Sequence, residues 1–387
     1  MNQSIGFKTN LGVMPVEVIL IILSNLNIDD LNCIYKQNKR LRNVCKTHKL
    51  ALIKNLLKKY KVDYQDPHNL IYFDFKTQEF ISPTNDLIKV FRLYLVHYNK
   101  TDIEIVNTDI SSIPIFPKLK KLDCSDNKLT EIPTMPFLEE LWCENNRLTE
   151  IPPMPFLKKL HCEENKLTEI GMMPLLQTLH CGDNRLTKIP IMPLLEELGC
   201  ENNRLTKIES MSKLQILYCY GNQITKIQTM PLLQILHCHF NQITEIQTMP
   251  LLKNLQCGEN LLTEIPPMPF LQKLFCWNNR LTEIPPMPHL EELGCHNNQL
   301  TEIPQMPLLK KLYCGNNQLT EIPLMSLLKK LYCGNNQLTE IPLMPLLKLL
   351  WCNNNHITQI PLMPLLEEIK CDPIVEVPPI PKLKLLW

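Results

Sequence analysis

The sequence predicts a β-solenoid, a column of short coils carrying one parallel sheet and few or no helices, preceded by a small α-helical domain. Three observations predict it. Fourteen cysteines follow one another every 19 residues from Cys124 to Cys371 without a slip, so one small unit is stacked many times. Ahead of each cysteine apolar and polar residues alternate, as with Leu141 and Cys143 against Glu140, Trp142 and Glu144, which is the period of a strand with one buried face. Prolines follow the isoleucine and again the methionine, as at Pro152 and Pro155. They lack a donor and fix φ, so the return path of each coil is extended rather than helical.

Within a coil, Leu148, Ile151 and Met154 turn inward from the side opposite the strand. One coil cannot bury these faces alone, and stability is then a sum of neighbour terms. Asparagine recurs three residues after the cysteine at thirteen successive positions, Asn127 to Asn355. Its amide supplies donors and an acceptor for backbone groups that the turn would leave buried and unpaired.

Aligned on the cysteine, the units read L-x-x-L-x-C-x-x-N-x-[LI]-T-x-I-x-x-M-[PS]-x. This resembles the leucine-rich repeat, L-x-x-L-x-L-x-x-[NC]-x-L, with cysteine in the third apolar slot. The I-P-x-M-P stretch is similar to the L-P-x-L-P of the short, helix-free bacterial effector type. The resemblance implies a leucine-rich-repeat solenoid over residues 101–387, with the sheet on a concave face that binds protein. Ile103, Ile105, Ile110 and Ile113 keep register with Leu122, Cys124, Leu129 and Ile132, which makes a degenerate first coil. After Cys371 the asparagine is missing, and Leu383, Leu385, Leu386 and Trp387 are expected to form a terminal cover.

Residues 61–100 read as a connecting segment and cap, because an array needs its first apolar face covered. Leu70–Phe75 follows the Pro67 turn as a strand. Thr84, Asn85 and Asp86 then cap a helix with Leu87, Ile88, Phe91, Tyr94 and Leu95 on one side.

Residues 1–60 do not repeat. Met14-Pro15-Val16-Glu17-Val18 opens a helix with proline in its first turn and an acid beside it. Asn27 to Asp30 cap a second helix and Asn38 a third. Met14-Pro15-Val16-Glu17-Val18, Ile22-Leu23-Ser24-Asn25-Leu26, Asp30-Leu31 and the basic Lys39-Arg40-Leu41-Arg42 resemble an F-box, although Leu41 stands where that family usually has an aromatic. F-box followed by leucine-rich repeats is a familiar architecture. The resemblance implies a substrate receptor of an SCF-type cullin ubiquitin ligase. Met14, Pro15, Glu17, Val18, Ile22, Leu23, Leu26 and Leu31 would dock its acidic adaptor subunit. The alternative is a stand-alone leucine-rich-repeat scaffold of bacterial effector type, whose N-terminal helices only cap the array. Lys36 to Lys61 holds ten Lys or Arg residues and no acid, which suits such an adaptor and equally a solvated helix face.

The net charge of +1 gives no general pull toward nucleic acid or membrane. No apolar run approaches the roughly 20 residues of a membrane helix, and no signal peptide is evident. Adjacent coils ~4.8 Å apart hold parallel Cβ vectors too far apart for a disulfide, so the cysteines read as core-filling free thiols. Free thiols point to a reducing compartment, so the expectation is a soluble, monomeric, cytoplasmic protein. The near-identical units and the Asn, Ile and Lys bias fit recent duplication in an AT-rich genome such as that of a large DNA virus, which would make the compartment a host cytoplasm. Nucleotide-binding glycine motifs, H-E-x-x-H and G-x-S-x-G are absent, so no enzyme is expected. His237 and His239 share a strand face, but no third and fourth ligand is evident, so no metal or cofactor is assigned.

The position before the cysteine carries Trp142, His161, His180, Tyr218, His237, Phe275, Tyr313, Tyr332 and Trp351, and the position after it adds Tyr220, His239, Trp277 and His296. A solvent-facing strand position has no structural need for so many rings, which are typical interface anchors. Trp142, His161, His180, Tyr218, His237, Phe275, Trp277, Tyr313, Tyr332 and Trp351 are therefore the candidate target-binding residues. Stacking of rings along the sheet for its own stability is the competing reading. Glu245, Glu264, Glu283, Glu302, Glu321 and Glu340 form an acidic row elsewhere on the coil, interrupted earlier by Lys188, Lys207 and Lys226.

Overall fold

Each coil spends three residues on a strand, and sixteen such strands from Asp102–Glu104 to Lys384–Leu386 form one parallel sheet in sequence order. The computed structural model describes residues 72–74, 79–81 and 100–386 other than Pro114, Pro117 and Lys382. The F-box-like residues Met14 to Leu31, the basic run Lys36 to Lys61, the helix expected over Leu87 to Leu95, and Trp387 lie outside the described residues. Two compact units are distinguished, one of residues 1–100 with 110–117, the other of residues 101–109 with 118–387.

In the first unit Tyr72–Asp74 pairs antiparallel with Glu79–Ile81. The first strand falls within the expected stretch, and its partner was not expected. Ile110, Ile113 and Phe116 are buried.

In the second unit the strands stack in strict register. Glu140, Leu141 and Trp142 face Lys159, Leu160 and His161 of the next coil. A parallel ladder with a 19-residue step places like residue on like residue, so each core position becomes a continuous row. Leu141, Cys143, Leu148 and Leu157 are fully buried, and Ile151 and Met154 nearly so. Full burial stabilises each large apolar side chain by roughly 1.5–3 kcal/mol, and the gain recurs in every coil. The strand ends one residue before the cysteine, but Cys143 N still donates to His161 O at 2.8 Å, which continues the ladder.

The asparagines act as predicted. Nδ2 of Asn146 reaches Cys124 O of the preceding coil at 3.0 Å, Cys143 O at 3.2 Å and Glu144 O at 3.1 Å. Its Oδ1 accepts from Leu129 N at 2.9 Å. The residue just before this asparagine is left-handed in every coil, with φ near 50° at Asn145, Asn202 and Asn278 and 67° at Gly221. The sequence supports that conformation with Asn, Asp or Gly at most of these positions, a signal the reading above passed over. Glu164, Phe240 and Glu259 are the exceptions, and the bulky ring makes Phe240, with φ of 53°, the costliest of them.

The two prolines have separate effects. Leu157 N donates to Met154 O at 3.1 Å, closing a turn with Pro155 at its second position, where a fixed φ is favourable. Proline after the isoleucine withholds an N–H from the side opposite the main sheet. Where glutamine replaces it, at Gln228 and Gln247, a second parallel pair forms between Lys226–Ile227 and Glu245–Ile246, and Gln247 N donates to Ile227 O at 3.3 Å.

The last coil corrects one expectation. Leu385 and Leu386 do not fold over the column as a cover. They belong to a further strand in register with Glu368–Lys370, and Leu385, opposite buried Ile369, is 37% exposed. The stacking of one coil on the next continues into this segment, but Glu368 pairs with Lys384, so the shortened return path gives a step shorter than the usual 19 residues. Asp372 takes over part of the asparagine work, accepting from Asn354 N at 2.9 Å and Asn355 N at 3.3 Å. Among the described residues there are strands, bridges and turns but no helix, and none long and apolar enough to cross a membrane.

Candidate binding surface on the strand face

The central residue of each strand from Asp102–Glu104 to Glu368–Lys370, leucine in all but Ile103 and Ile369, is buried in the column, so the residues before and after each cysteine share the outer face. Trp142, His161, His180, Tyr218, His237, Phe275, Trp277, Tyr313, Tyr332 and Trp351 are all half-buried there. None is buried in the column.

Register brings the rings into contact. His161 and His180 stack with centroids 4.8 Å apart and planes 4° from parallel, and Trp142 stacks on His161 at 5.8 Å. Tyr313 stacks on Tyr332 at 4.7 Å, and Tyr332 meets Trp351 edge-on at 5.0 Å. Tyr218 tilts against His237 at 5.0 Å. A second file runs beside it, where Tyr220 stacks on His239 at 4.5 Å and Trp277 on His296 at 6.0 Å. Phe275 and Trp277 join the files edge to face.

Glycines end these stacks by making room for a ring. A Cβ at Gly294 would come within 2.6 Å of Phe275 Cδ1, and one at Gly199 within 2.8 Å of His180 Nδ1. At Gly258 it would strike the indole of Trp277. The ring files are thus packed as well as presented, and both readings of the strip, anchor and stack, have a physical basis. Ring pairs contribute about 0.5–1.5 kcal/mol beyond burial, and the half-buried rings still present surface to solvent.

Polar groups on this face are arranged by the same register. Glu140 lies between Lys121 and Lys159, at 3.2 and 3.5 Å, and Lys311 meets Glu292 at 2.8 Å. Exposed pairs of this kind contribute little. Trp351 Nε1 donates to Glu368 at 3.0 Å, and Lys370 sits 5.6 Å over its ring. His237 Nε2 lies 3.3 Å from the Asn254 amide, and burial, with the nearby His239, pulls its pKa down to about 4. His239 is also lowered, by burial. Among the described residues, His237 and His239 are not joined by a third ligating side chain in one grouping.

A different group converges instead. Oε1 of Glu163 is 3.8 Å from Nδ1 of both His161 and His180, while His180 Nε2 is 3.2 Å from Glu197. The neighbouring Glu163 carboxylate is the chief cause of a raised His161 pKa. Burial pushes the Glu163 carboxyl up, yet His161 and backbone bonds hold it below its usual value. Glu144 and Glu201, more weakly compensated, are raised by burial. Glu163 and Glu201 are ordinary acids in the sequence, and nothing in their spacing signals a site, because Glu163 meets His180 only across two stacked coils.

A second apolar row was also missed. Phe137, Phe156, Leu232, Leu251 and Phe270, each directly before the core leucine that leads into a strand, are between 41% and 56% exposed. Their signal is an apolar residue after the proline in M-P-x-L.

The fourteen array cysteines are free and buried. Sγ of Cys143 donates to His161 O at 3.3 Å, and Cys124, Cys162 and Cys181 repeat the bond. Burial pushes the Cys295 thiol up to about 12 and the rest of the row upward as well. The row fills the core as expected.

A family model described as Leucine Rich repeats (2 copies) matches residues 269–308, 288–326, 307–345 and 326–364. Among solved structures the chain is similar to YopM from Yersinia enterocolitica WA-314, at 28% identity and a TM-score of 0.72, covering 79% of this chain and 73% of that one. It is similar to YopM from Yersinia pestis, described as a leucine-rich effector protein, at 26% identity and a TM-score of 0.62, with 74% and 92% covered. The functional domain of InlJ from Listeria monocytogenes, described as including a cysteine ladder, has 29% identity and a TM-score of 0.61, with 70% and 67% covered. A search of curated proteins finds no match. The array has the leucine-rich-repeat solenoid fold.

Proposed function

We propose that this leucine-rich-repeat solenoid is a non-enzymatic protein-binding scaffold whose target lies along the ring-bearing strand face. The observation that carries the reading is the paired file of half-buried rings from Trp142 to Trp351. At ~4.8 Å per strand, such a strip suits a protein or extended peptide rather than a metabolite. Tyr313→Ala combined with Trp351→Ala is expected to remove target binding, read by proximity labelling in the native cell, with little change in melting temperature. Retained binding, or a large loss of stability without loss of binding, overturns the assignment.

The finer reading makes the chain the target-recognition subunit of an SCF-type ubiquitin ligase acting in the cytoplasm. It rests on Met14-Pro15-Val16-Glu17-Val18 and Ile22 to Leu31. The full chain should capture the purified SCF adaptor subunit, and Ile22→Asp should abolish capture. If the wild-type chain fails to bind, the stand-alone scaffold reading replaces it. Similarity to a leucine-rich effector protein favours that second reading.

A further inference from the structure

We propose that His161, Glu163 and His180 form a binding site for a divalent transition-metal ion of the zinc type on the outer face of the sheet. One ligand atom from each residue lies within 4.8 Å of the other two, the only such grouping of three among the described residues. The two Glu163 distances of 3.8 Å compare with the ~3.4 Å edge of a tetrahedron whose bonds are ~2.1 Å. Closing the site needs only a tilt of the two parallel imidazole planes toward each other, a rotation about a side-chain torsion with broad minima.

The surroundings are those of a built ligand set. His180 presents Nδ1 to the site and Nε2 to Glu197 at 3.2 Å, the carboxylate–imidazole arrangement that orients metal-bound histidines. Oε2 of Glu163 and Oε2 of Glu201 are both buried without a hydrogen-bond partner, an arrangement that costs free energy unless another group meets them. Gly199 opens the space beside them. A Cβ there would lie 2.8 Å from His180 Nδ1 and 3.3 Å from Glu201 Oε2, so both atoms border one gap. Glu201 lies outside the grouping of three but borders it, where its oxygen faces the position of a metal-bound water rather than of the ion itself. Two imidazole nitrogens with carboxylate oxygen suit zinc and its neighbours rather than calcium or magnesium, which take all-oxygen shells.

The test uses the full chain, stripped with a chelator and titrated with Zn²⁺ by calorimetry and with Co²⁺ by visible absorption. The expected result is one equivalent bound at micromolar affinity or better, with a Co²⁺ spectrum of nitrogen and oxygen ligands. Glu163→Gln and His180→Ala should each weaken binding by more than about 100-fold, and Glu197→Gln by about 10–100-fold, the range for residues that orient ligands. His237→Ala should leave binding unchanged. Circular dichroism checks that each variant is folded, and Glu163→Gln alone decides the matter if His180→Ala is not. Absence of saturable binding, a sulfur-to-cobalt charge-transfer band that places the ion on cysteine, or undiminished affinity in Glu163→Gln would each overturn the proposal.

Discussion

Asn260 donates its side-chain amide to the carbonyl of Cys238, one coil earlier, at 3.0 Å. The same side chain serves Cys257 O and Gly258 O and accepts from Ile243 N. Asn260→Ala therefore strands buried groups in two coils at once. The expected loss of stability is about 1–3 kcal/mol, read by urea denaturation and by new proteolysis near residues 240–262. A change below about 0.5 kcal/mol, typical of surface substitutions, would show that water replaces the amide.

Phe240 has a φ of 53°, a conformation its neighbouring coils give to Gly221 and Glu259. Left-handed backbone costs an ordinary L-residue about 1–2 kcal/mol, less for asparagine. Phe240→Asn is expected to stabilise by about 1 kcal/mol even though it removes the edge contact of Phe240 with His239. A lower melting temperature would mean that the ring contact outweighs the backbone.

Gly258 makes room for Trp277. Gly258→Ala should displace the indole, altering near-ultraviolet circular dichroism and lowering stability by about 1–3 kcal/mol, as overpacking does. An unchanged tryptophan signal contradicts this.

His237 links stability to pH. Its pKa falls from 6.5 to about 4 on folding, because burial and the charge of His239 disfavour the imidazolium. Between those values the unfolded chain binds the extra proton, so stability rises with pH across the window and is lost as pH falls from about 6.5 to about 4. His237→Gln should flatten that part of the curve. Parallel curves for the two proteins would place the cost elsewhere.

The buried thiols should resist iodoacetamide in the native state. Peptide mapping after labelling at neutral pH should find Cys257 and Cys295 unmodified until denaturant is added, because only the thiolate reacts and burial opposes it. Rapid labelling of the folded chain would place the row within reach of solvent.

The array was legible because its rules are local and repeated. Cysteine spacing set the step, alternation around Leu141 set the strand, and Asn146 and Pro155 each carried a recognisable backbone task. What the reading passed over depends on neighbours in space. The grouping of His161, Glu163 and His180 appears only when one coil is laid on the next, and Gly199 matters only because His180 leans over it. Glu79–Ile81 is three residues long, too short for periodicity to register. The exposure of Leu385 reflects a strand that continues the stack where a cover was expected.

The asparagine bonds also give the column a polarity. Each asparagine holds its own turn and reaches back to the coil before it, as Asn146 does to Cys124 and Leu129. Removing a coil on the carboxyl side takes the asparagine away from the backbone of its predecessor, whereas removing one on the amino side leaves the asparagine gripping its own turn and instead takes the acceptors of backbone donors such as Glu139 N and Arg147 N. The two ends of such a column are therefore chemically unlike, one lacking side-chain caps and the other lacking backbone acceptors.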